Sequence, residues 1–295
     1  MPVIHPTASV APEAQLADSV EIGPFCVVTG AVRLGPGVRL LGNVYVSGPV
    51  TIGEGTTVYP FACIGFPPQD VKFKLGDKTA GVVVGQHGLI REHATIHAAS
   101  NDHTPTTVGD RVFMMVNTHL GHDARVGNNV VMVNNSAVGG HGQLQDNVTL
   151  GGGALVHQFC RVGRLAMMSG GIAVSVDVPP FCIADERNRV KGVNVVGLRR
   201  AGWPRQHITD MRLAFRDLLR APMDRDEIVA ELNRRSKECP PLADLARFIE
   251  ESRERKRGIC PGHGKVPRVL ATWLGRMRRG EVSLAGLSEG DGEEE

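Results

Sequence analysis

The stretch VGDRVFMMVNTHLGHDARVGNNVVMVNNSAV, residues 108–138, carries an apolar side chain at every sixth position. These positions are Val108, Met114, Leu120, Val126, Met132 and Val138, and a glycine directly follows four of the six. A repeat of this length is typical of a solenoid whose short strands form flat sides and whose turns form corners. The stretch therefore predicts a β-helix in which three sides, of about six residues each, close one coil.

The same register extends far beyond this stretch. It runs from Ile4 to Ile64, resumes from Val84 to Ile96, and is unbroken from Val108 to Val174. A sandwich of strands alternates with a period of two and would not maintain a period of six over such a length. We therefore predict a stacked array whose aliphatic side chains form one continuous internal column.

The pattern divides the chain into three regions. Residues 1–190 are predicted to form the β-helix, with loops extruded near residues 65–83 and 98–107, where the register breaks. Residues 191–260 are predicted to form a C-terminal α-helical domain, because apolar residues recur there at helical spacing. Residues 261–295 are predicted to form an extra helix and an acidic, disordered tail ending in SEGDGEEE.

The composition excludes several classes of function. A net charge of +2 and an aromatic content of 4% offer neither the charge nor the stacking surface for nucleic acid. No signal peptide and no apolar run of membrane-spanning length is visible. The six cysteines form no CxxC pair, so we predict free thiols in a cytoplasmic protein.

The repeat also predicts which polar side chains meet. If Leu120, Val138 and Val156 lie on successive coils, the residues that follow them should converge, namely His122, Gly140, His141, His157 and Gln158. His119 should lie just around the corner from His122. Such a cluster could bind zinc, could transfer protons, or could consist of surface residues without a functional role. No cysteine joins it and the spacing lacks helical i, i+4 geometry, so we favour proton transfer and predict no metal.

His122 followed by Asp123 supplies the residue types of a general base and its orienting carboxylate. Neighbouring residues in a strand point to opposite faces, so contact between the two requires a corner. Backbone amides near Gly140 could stabilise an oxyanion. The chain has no Gly-x-Ser-x-Gly elbow and no cysteine beside the cluster, which favours direct attack by a substrate hydroxyl over an acyl-enzyme.

Several motifs together resemble one family. IGFPPQDVKF, IREHATIH, VNTHLGHDARVGN, GGGALVHQFCRVG, VPPFCIA and GVNVVGLRRAG are similar to motifs of acyl-[acyl carrier protein]–UDP-N-acetylglucosamine O-acyltransferases, the first enzymes of lipid A synthesis. The resemblance implies a left-handed parallel β-helix that assembles as a homotrimer, with active sites between subunits. It also implies transfer of a 3-hydroxyacyl chain from acyl carrier protein to the sugar 3-hydroxyl, without a cofactor beyond the carrier's phosphopantetheine.

The resemblance also implies residue roles. His122 would be the general base, Asp123 its support and the Gly140 amide the oxyanion donor. Met167 and Gly170 would set the acyl-chain length. The remaining substrate-binding residues would be Gln69, Asp70, Lys72, His97, His119, His141, Gly152, His157, Gln158, Asn194 and Arg200.

Three sites in the sequence depart from the family pattern. An acidic residue is replaced by Val196, a basic residue by Ala201, and Arg-Gly-Thr by residues 98–100, Ala-Ala-Ser. We expect all three to lie where nucleotide or donor is held and none to touch His122 or Asp123. They leave two alternatives open: a paralogue that acylates a different nucleotide-linked sugar hydroxyl or amine, or a non-catalytic binding scaffold.

Overall fold

The computed structural model describes residues 1–74, 76–219, 224–255 and 258–262. Its strands are two to five residues long. In chain order they are β1 (Val3–Ile4), β2 (Ser9–Val10), β3 (Gln15–Leu16), β4 (Glu21–Ile22), β5 (Val27–Thr29), β6 (Val32–Leu34), β7 (Arg39–Leu40), β8 (Tyr45–Ser47), β9 (Val50–Ile52), β10 (Thr57–Val58), β11 (Cys63–Phe66), β12 (Val82–Val84), β13 (Leu89–Ile90), β14 (Thr95–His97), β15 (Thr106–Val108), β16 (Phe113–Met114), β17 (His119–Leu120), β18 (Arg125–Val126), β19 (Val131–Met132), β20 (Ala137–Val138), β21 (Gln143–Leu144), β22 (Thr149–Leu150), β23 (Leu155–Val156), β24 (Arg161–Val162), β25 (Met167–Met168), β26 (Ala173–Val174), β27 (Cys182–Glu186) and β28 (Arg189–Val193).

Every third strand joins the same sheet, which makes the chain a parallel β-solenoid. The first sheet runs from β1 through β25 and ends with β27 and β28, the second runs from β2 to β26, and the third from β3 to β24. All of these pairings are parallel except that of β27 with β28, which form an antiparallel hairpin. The fold predicted from the six-residue repeat is thus confirmed as a parallel β-solenoid.

The aliphatic column forms the core, as predicted. Leu120 pairs with Val138, and Val138 pairs with Val156, in successive coils of eighteen residues. Each of these three side chains is at most 3% exposed. The first coil is an exception, because Ile4 is 42% exposed. That coil has a neighbour on one side only, so its inward residues are only partly covered.

Two excursions interrupt the coils. One joins β11 to β12 and the other joins β14 to β15, so that paired residues there are 32 and 24 positions apart. The strands around the excursions remain paired in parallel, with one register irregularity between Ile64 and Phe66, where the first excursion begins. The second excursion thereby reaches the corner after β17, where its residues Ser100 and Asn101 contact Asp123.

Helices follow the last strand of the first sheet. They are α1 (Val195–Arg200), α2 (Arg205–Ala214), a π-helical segment at Phe215–Leu219, α3 (Arg225–Arg235) and α4 (Pro241–Glu254). Their apolar faces form a second core that includes Ile208, Met211 and Leu218. None of the described helices is long and apolar enough to cross a membrane. The extra helix and tail predicted for residues 261–295 lie, beyond Gly262, outside the described residues.

A buried arginine ties α4 to the end of the solenoid. Arg161 in β24 is 4% exposed and lies 3.0 Å from the carboxylate of Asp177, which is fully buried. Its guanidinium also donates to the Ser252 hydroxyl at 2.8 Å and to the Glu251 carboxylate, and it lies over the Phe248 ring. Because each of the three guanidinium nitrogens has a hydrogen-bond partner, the charge is tolerated inside the protein.

Candidate active site

His122 and Asp123 lie at the corner that follows β17. Asp123 adopts a positive φ of 60°, which turns the chain so that neighbouring side chains meet instead of pointing to opposite faces. The His122 Nδ1 atom lies 2.7 Å from the Asp123 Oδ2 atom. The backbone N–H of Asp123 donates to the Thr106 hydroxyl at 2.8 Å, which fixes the corner itself. Contact between the His122 and Asp123 side chains required a bend in the chain, and the structure contains both the bend and the contact.

Four donor groups surround the Asp123 carboxylate. Besides His122, the Ser100 hydroxyl donates at 2.7 Å, the Asn101 side-chain amide at 2.6 Å and the Ser100 backbone N–H at 3.2 Å. Burial raises the pKa of Asp123, but the hydrogen bonds from His122 and Ser100 outweigh it, so that the pKa lies below its usual range. The carboxylate is therefore ionised and can only accept hydrogen bonds, which places a proton on the His122 Nδ1 atom.

This environment corrects one expectation. The Ala-Ala-Ser segment was expected not to touch His122 or Asp123, but Ser100 is a direct partner of Asp123. The reason is that the second excursion folds back over the corner, and the period of the repeat does not predict the path of an excursion.

Gly140 lies against the other nitrogen of His122. A Cβ atom at this position would be 2.6 Å from the His122 Nε2 atom, so only glycine leaves the imidazole room. The Gly140 N–H donates to no acceptor within the described residues. One imidazole nitrogen, one free amide and a buried carboxylate thus lie within two coils, and the approach of Gly140 to His122 is the one that the repeat predicted.

His141 packs on the same corner. Its Nε2 atom lies 3.6 Å from the Asp123 Oδ2 atom, its ring meets the His122 ring edge-on, and it stacks on Phe159 with 4.5 Å between centroids. Burial lowers the pKa of His141 below its ordinary value, although the Asp123 carboxylate opposes this. His141 is therefore neutral near pH 7 and can donate or accept a hydrogen bond.

Two further histidines lie in the second sheet, His119 in β17 just before His122 and His97 in β14 of the preceding coil. The His119 Nδ1 atom is hydrogen-bonded to the Thr95 hydroxyl at 2.7 Å, and its ring meets that of His97 edge-on with 5.1 Å between centroids. Burial, with neighbouring histidines, lowers the pKa of His119 and lowers that of His97 to about 4. The His97 Nδ1 atom is buried without a hydrogen-bond partner among the described residues. Both rings are therefore neutral and available to a bound polar molecule.

The first excursion carries the predicted loop residues. The Asp70 carboxylate accepts the Lys72 N–H at 2.9 Å, and Gln69 and Lys72 are exposed. The charge of Asp70 raises the pKa of His141 and so opposes part of the effect of burial.

The next coils hold His157 and Gln158, both exposed. A Cβ atom at Gly139 would be 2.8 Å from the Gln158 backbone nitrogen, so Gln158 lies directly above the glycine pair. Gly152 and Gly170 are neighbours at a different corner, where a Cβ atom at 170 would be 3.2 Å from the Gly152 carbonyl oxygen. Met167 is half-buried in β25.

Asn194 and Arg200 are not brought into the histidine cluster of this chain. Asn194 caps α1: its side chain accepts the Gly197 N–H at 3.0 Å and donates to the Leu165 carbonyl at 2.8 Å. Arg200, Val196 and Ala201 are exposed on or just after this helix. The signal for the cap was in the sequence, since asparagine is a preferred residue before a helix.

The residues that sequence reasoning missed are Ser100, Asn101 and Thr106. They are small polar residues in a register break, and a repeat pattern assigns such residues no position. Their nearness in sequence to His97 was the one available signal.

Three side chains of the cluster are potential metal ligands. One ligand atom from each of His122, Asp123 and His141 lies within 4.8 Å of the others, which is close enough for a shared ion. However, the Asp123 oxygens already accept hydrogen bonds from Ser100 and Asn101. An ion there would replace the bond that orients His122, so the donor set suits proton transfer better.

Known proteins of one family are similar to this chain. A family profile described as UDP N-acetylglucosamine O-acyltransferase, domain 2, matches residues 177–260. The acyl-[acyl-carrier-protein]–UDP-N-acetylglucosamine O-acyltransferase of Thermodesulfovibrio yellowstonii is 39% identical over 87% of this chain and 98% of its own length.

Solved structures give the same result. The crystal structure of the UDP-N-acetylglucosamine O-acyltransferase of Moraxella catarrhalis is 36% identical, with a TM-score of 0.82, over 87% of this chain and 99% of that chain. The Francisella novicida UDP-N-acetylglucosamine acyltransferase is 32% identical, with a TM-score of 0.84, over 89% and 95%. Sequence identity and shared fold extend over nearly the whole of each relative, and the chain belongs to the UDP-N-acetylglucosamine O-acyltransferase family.

Proposed function

We propose that this enzyme transfers a 3-hydroxyacyl chain from acyl carrier protein to the 3-hydroxyl of UDP-N-acetylglucosamine, the first step of lipid A synthesis. The names of the relatives supply the two substrates. The single observation that supports the chemistry is the 2.7 Å contact between His122 Nδ1 and Asp123 Oδ2. It leaves the Nε2 lone pair of His122 as a base beside the free amide of Gly140.

In the proposed reaction, the His122 Nε2 atom takes the proton from the sugar hydroxyl while the hydroxyl oxygen attacks the thioester carbonyl carbon. The Gly140 N–H donates to the oxygen that becomes negative in the tetrahedral intermediate. The intermediate collapses by breaking the carbon–sulfur bond, and the imidazolium returns its proton to the leaving thiolate. Asp123 stays ionised throughout and stabilises the charged imidazolium. No cofactor or metal is required by this balance.

The neighbouring polar groups are proposed to position the substrates. His97, His119 and His141 are neutral near pH 7, which suits hydrogen bonding to sugar hydroxyls without competing for the proton. Gln69, Asp70 and Lys72 would close over the sugar from the first excursion, and His157 and Gln158 would meet the donor's phosphopantetheine and the nucleotide. Gly152 would belong to the same cleft.

The assembly is proposed to be a homotrimer of left-handed solenoids in the cytoplasm, where both substrates occur. Within one chain Asn194 bonds Leu165 and Gly197, and Arg200 is exposed, which is compatible with a nucleotide held between two subunits. Met167 and Gly170 would line the acyl chain, and the missing side chain at Gly170 would leave room for a long chain.

An acyl-transfer assay tests this proposal. Purified enzyme is given 3-hydroxyacyl carrier proteins of several lengths and a panel of UDP-sugars, and product is measured by mass spectrometry. We expect turnover on UDP-N-acetylglucosamine, and His122→Ala should lower kcat by at least about a hundredfold without changing the oligomeric state. His5→Ala, on the exposed first coil, is the matched control. Turnover on a different acceptor alone, or stoichiometric zinc in active enzyme, would contradict the proposal.

A further inference from the structure

The segment between β14 and β15 contacts the catalytic carboxylate more extensively than any other part of the described chain. Asn101 Nδ2 bonds the Oδ1 atom of Asp123 at 2.6 Å, and Ser100 Oγ bonds the Oδ2 atom at 2.7 Å. The Ser100 backbone N–H points between the two oxygens, at 3.2 Å from each. Both oxygens are thus held at once, which fixes the rotation of the carboxylate about its own bond.

The segment that supplies these donors is itself fixed. The Asn101 side-chain oxygen accepts the backbone N–H groups of His103 and Thr104, at 3.0 and 2.7 Å. The Asn101 carbonyl accepts the Ala80 N–H at 2.6 Å, and the Thr79 hydroxyl donates to the Ala99 carbonyl at 2.5 Å. The end of the first excursion therefore supports the second, and Asn101 is locked with its amide aimed at Asp123.

We propose that Ser100 and Asn101 are positioning residues for acyl transfer: together they form a carboxylate clamp that aims Asp123 Oδ2 at His122 Nδ1. The proposal rests on the function proposed above. The clamp acts on the side chain alone, because Thr106 separately holds the Asp123 backbone. Without the clamp the carboxylate is free to rotate, and the His122 ring loses the partner that selects its tautomer.

A double-mutant cycle on kcat tests whether Ser100 acts through Asp123. We expect Ser100→Ala to lower kcat roughly tenfold with KM for UDP-N-acetylglucosamine unchanged, because a base held less rigidly reacts less often from the productive geometry. In an Asp123→Ala background the same change should alter kcat by less than about twofold, since the group it positions is gone. Ser100→Thr retains the hydroxyl and should restore most of the rate. Asp102→Asn, in the same segment but exposed, is the matched control.

A crystal structure of the Ser100→Ala, Asn101→Ala double variant gives a readout that does not depend on activity. We expect the Asp123 carboxylate to be rotated and the His122 Nδ1 contact to be lost. An intact contact in that structure would overturn the proposal, as would an equal effect of Ser100→Ala in both backgrounds. A wild-type enzyme without turnover would instead refute the proposed function, and the crystal structure would still decide the clamp.

Discussion

Replacing Gly140 with alanine tests the geometry of the base most directly. A Cβ atom there would lie 2.6 Å from His122 Nε2, 2.7 Å from Cε1 and 3.2 Å from Cδ2. Unstrained contacts between such atoms are about 3.5 Å long. Either the imidazole ring moves by roughly 0.9 Å, or the new methyl group stays in close contact with the Nε2 atom and covers it. The ring cannot move freely, because its Nδ1 atom is bonded to Asp123.

The expected loss follows from that displacement. Misplacing a reacting group by about 1 Å costs about a hundredfold in rate, which corresponds to about 2.7 kcal/mol of activation free energy at 25 °C. Folding should be affected less. Gly140 has no positive φ, so alanine fits the backbone and restricts the unfolded chain. This gain of about 0.4–1 kcal/mol offsets part of the roughly 1–3 kcal/mol cost of overpacking.

The measurement is kcat for Gly140→Ala at saturating substrates, together with its unfolding midpoint in urea. Gly192→Ala is the matched control, because a Cβ atom there has no neighbour within 4 Å. We expect the control to keep wild-type kcat. If Gly140→Ala also keeps more than half of the wild-type kcat, then the substrate proton is not taken at His122 Nε2, and the proposed mechanism is wrong.

Two further predictions concern stability. The pKa of His97 is lowered to about 4, whereas the unfolded chain would take up this proton near its ordinary value of 6.5. Protonation of His97 in the unfolded chain should therefore lower the free energy of unfolding by about 2 kcal/mol between pH 8 and pH 5. His97→Gln should remove that part of the pH dependence. The measurement is urea unfolding of wild type and variant at fixed protein concentration, and an equal change of unfolding free energy with pH in both would contradict this. Arg161→Ala leaves the buried Asp177 carboxylate unpaired and should destabilise the protein by about 3–5 kcal/mol. Exposed Arg33→Ala serves as its control in thermal melts, and equal melting temperatures would show that the ion pair contributes nothing.

Much of the site could be predicted because a solenoid converts sequence spacing into distance. Residues eighteen apart lie above one another, as the pairing of Leu120 with Val138 shows. The approach of Gly140 to His122 follows from the same rule. The family resemblance added the roles of these residues, which periodicity alone does not supply.

Other contacts could not be predicted by spacing. The antiparallel hairpin of β27 and β28 lies beyond the end of the repeat, where no period sets the register. Asn194 was expected to bind nucleotide, and within this chain its side-chain atoms cap α1 and bond Leu165. A polar side chain in a non-repeating segment has several partners within reach, and only the folded chain selects among them.

The amino-acid sequence by itself determined the solenoid, its buried column and the stacking of Gly140 on the corner that contains His122, because each depends on a short period repeated along the chain. The tertiary structure decided what surrounds that corner. Ser100 and Asn101 reach Asp123 because the excursion from β14 to β15 is supported by the end of the excursion before it. That support comes from hydrogen bonds between segments far apart in sequence, and no local pattern encodes them.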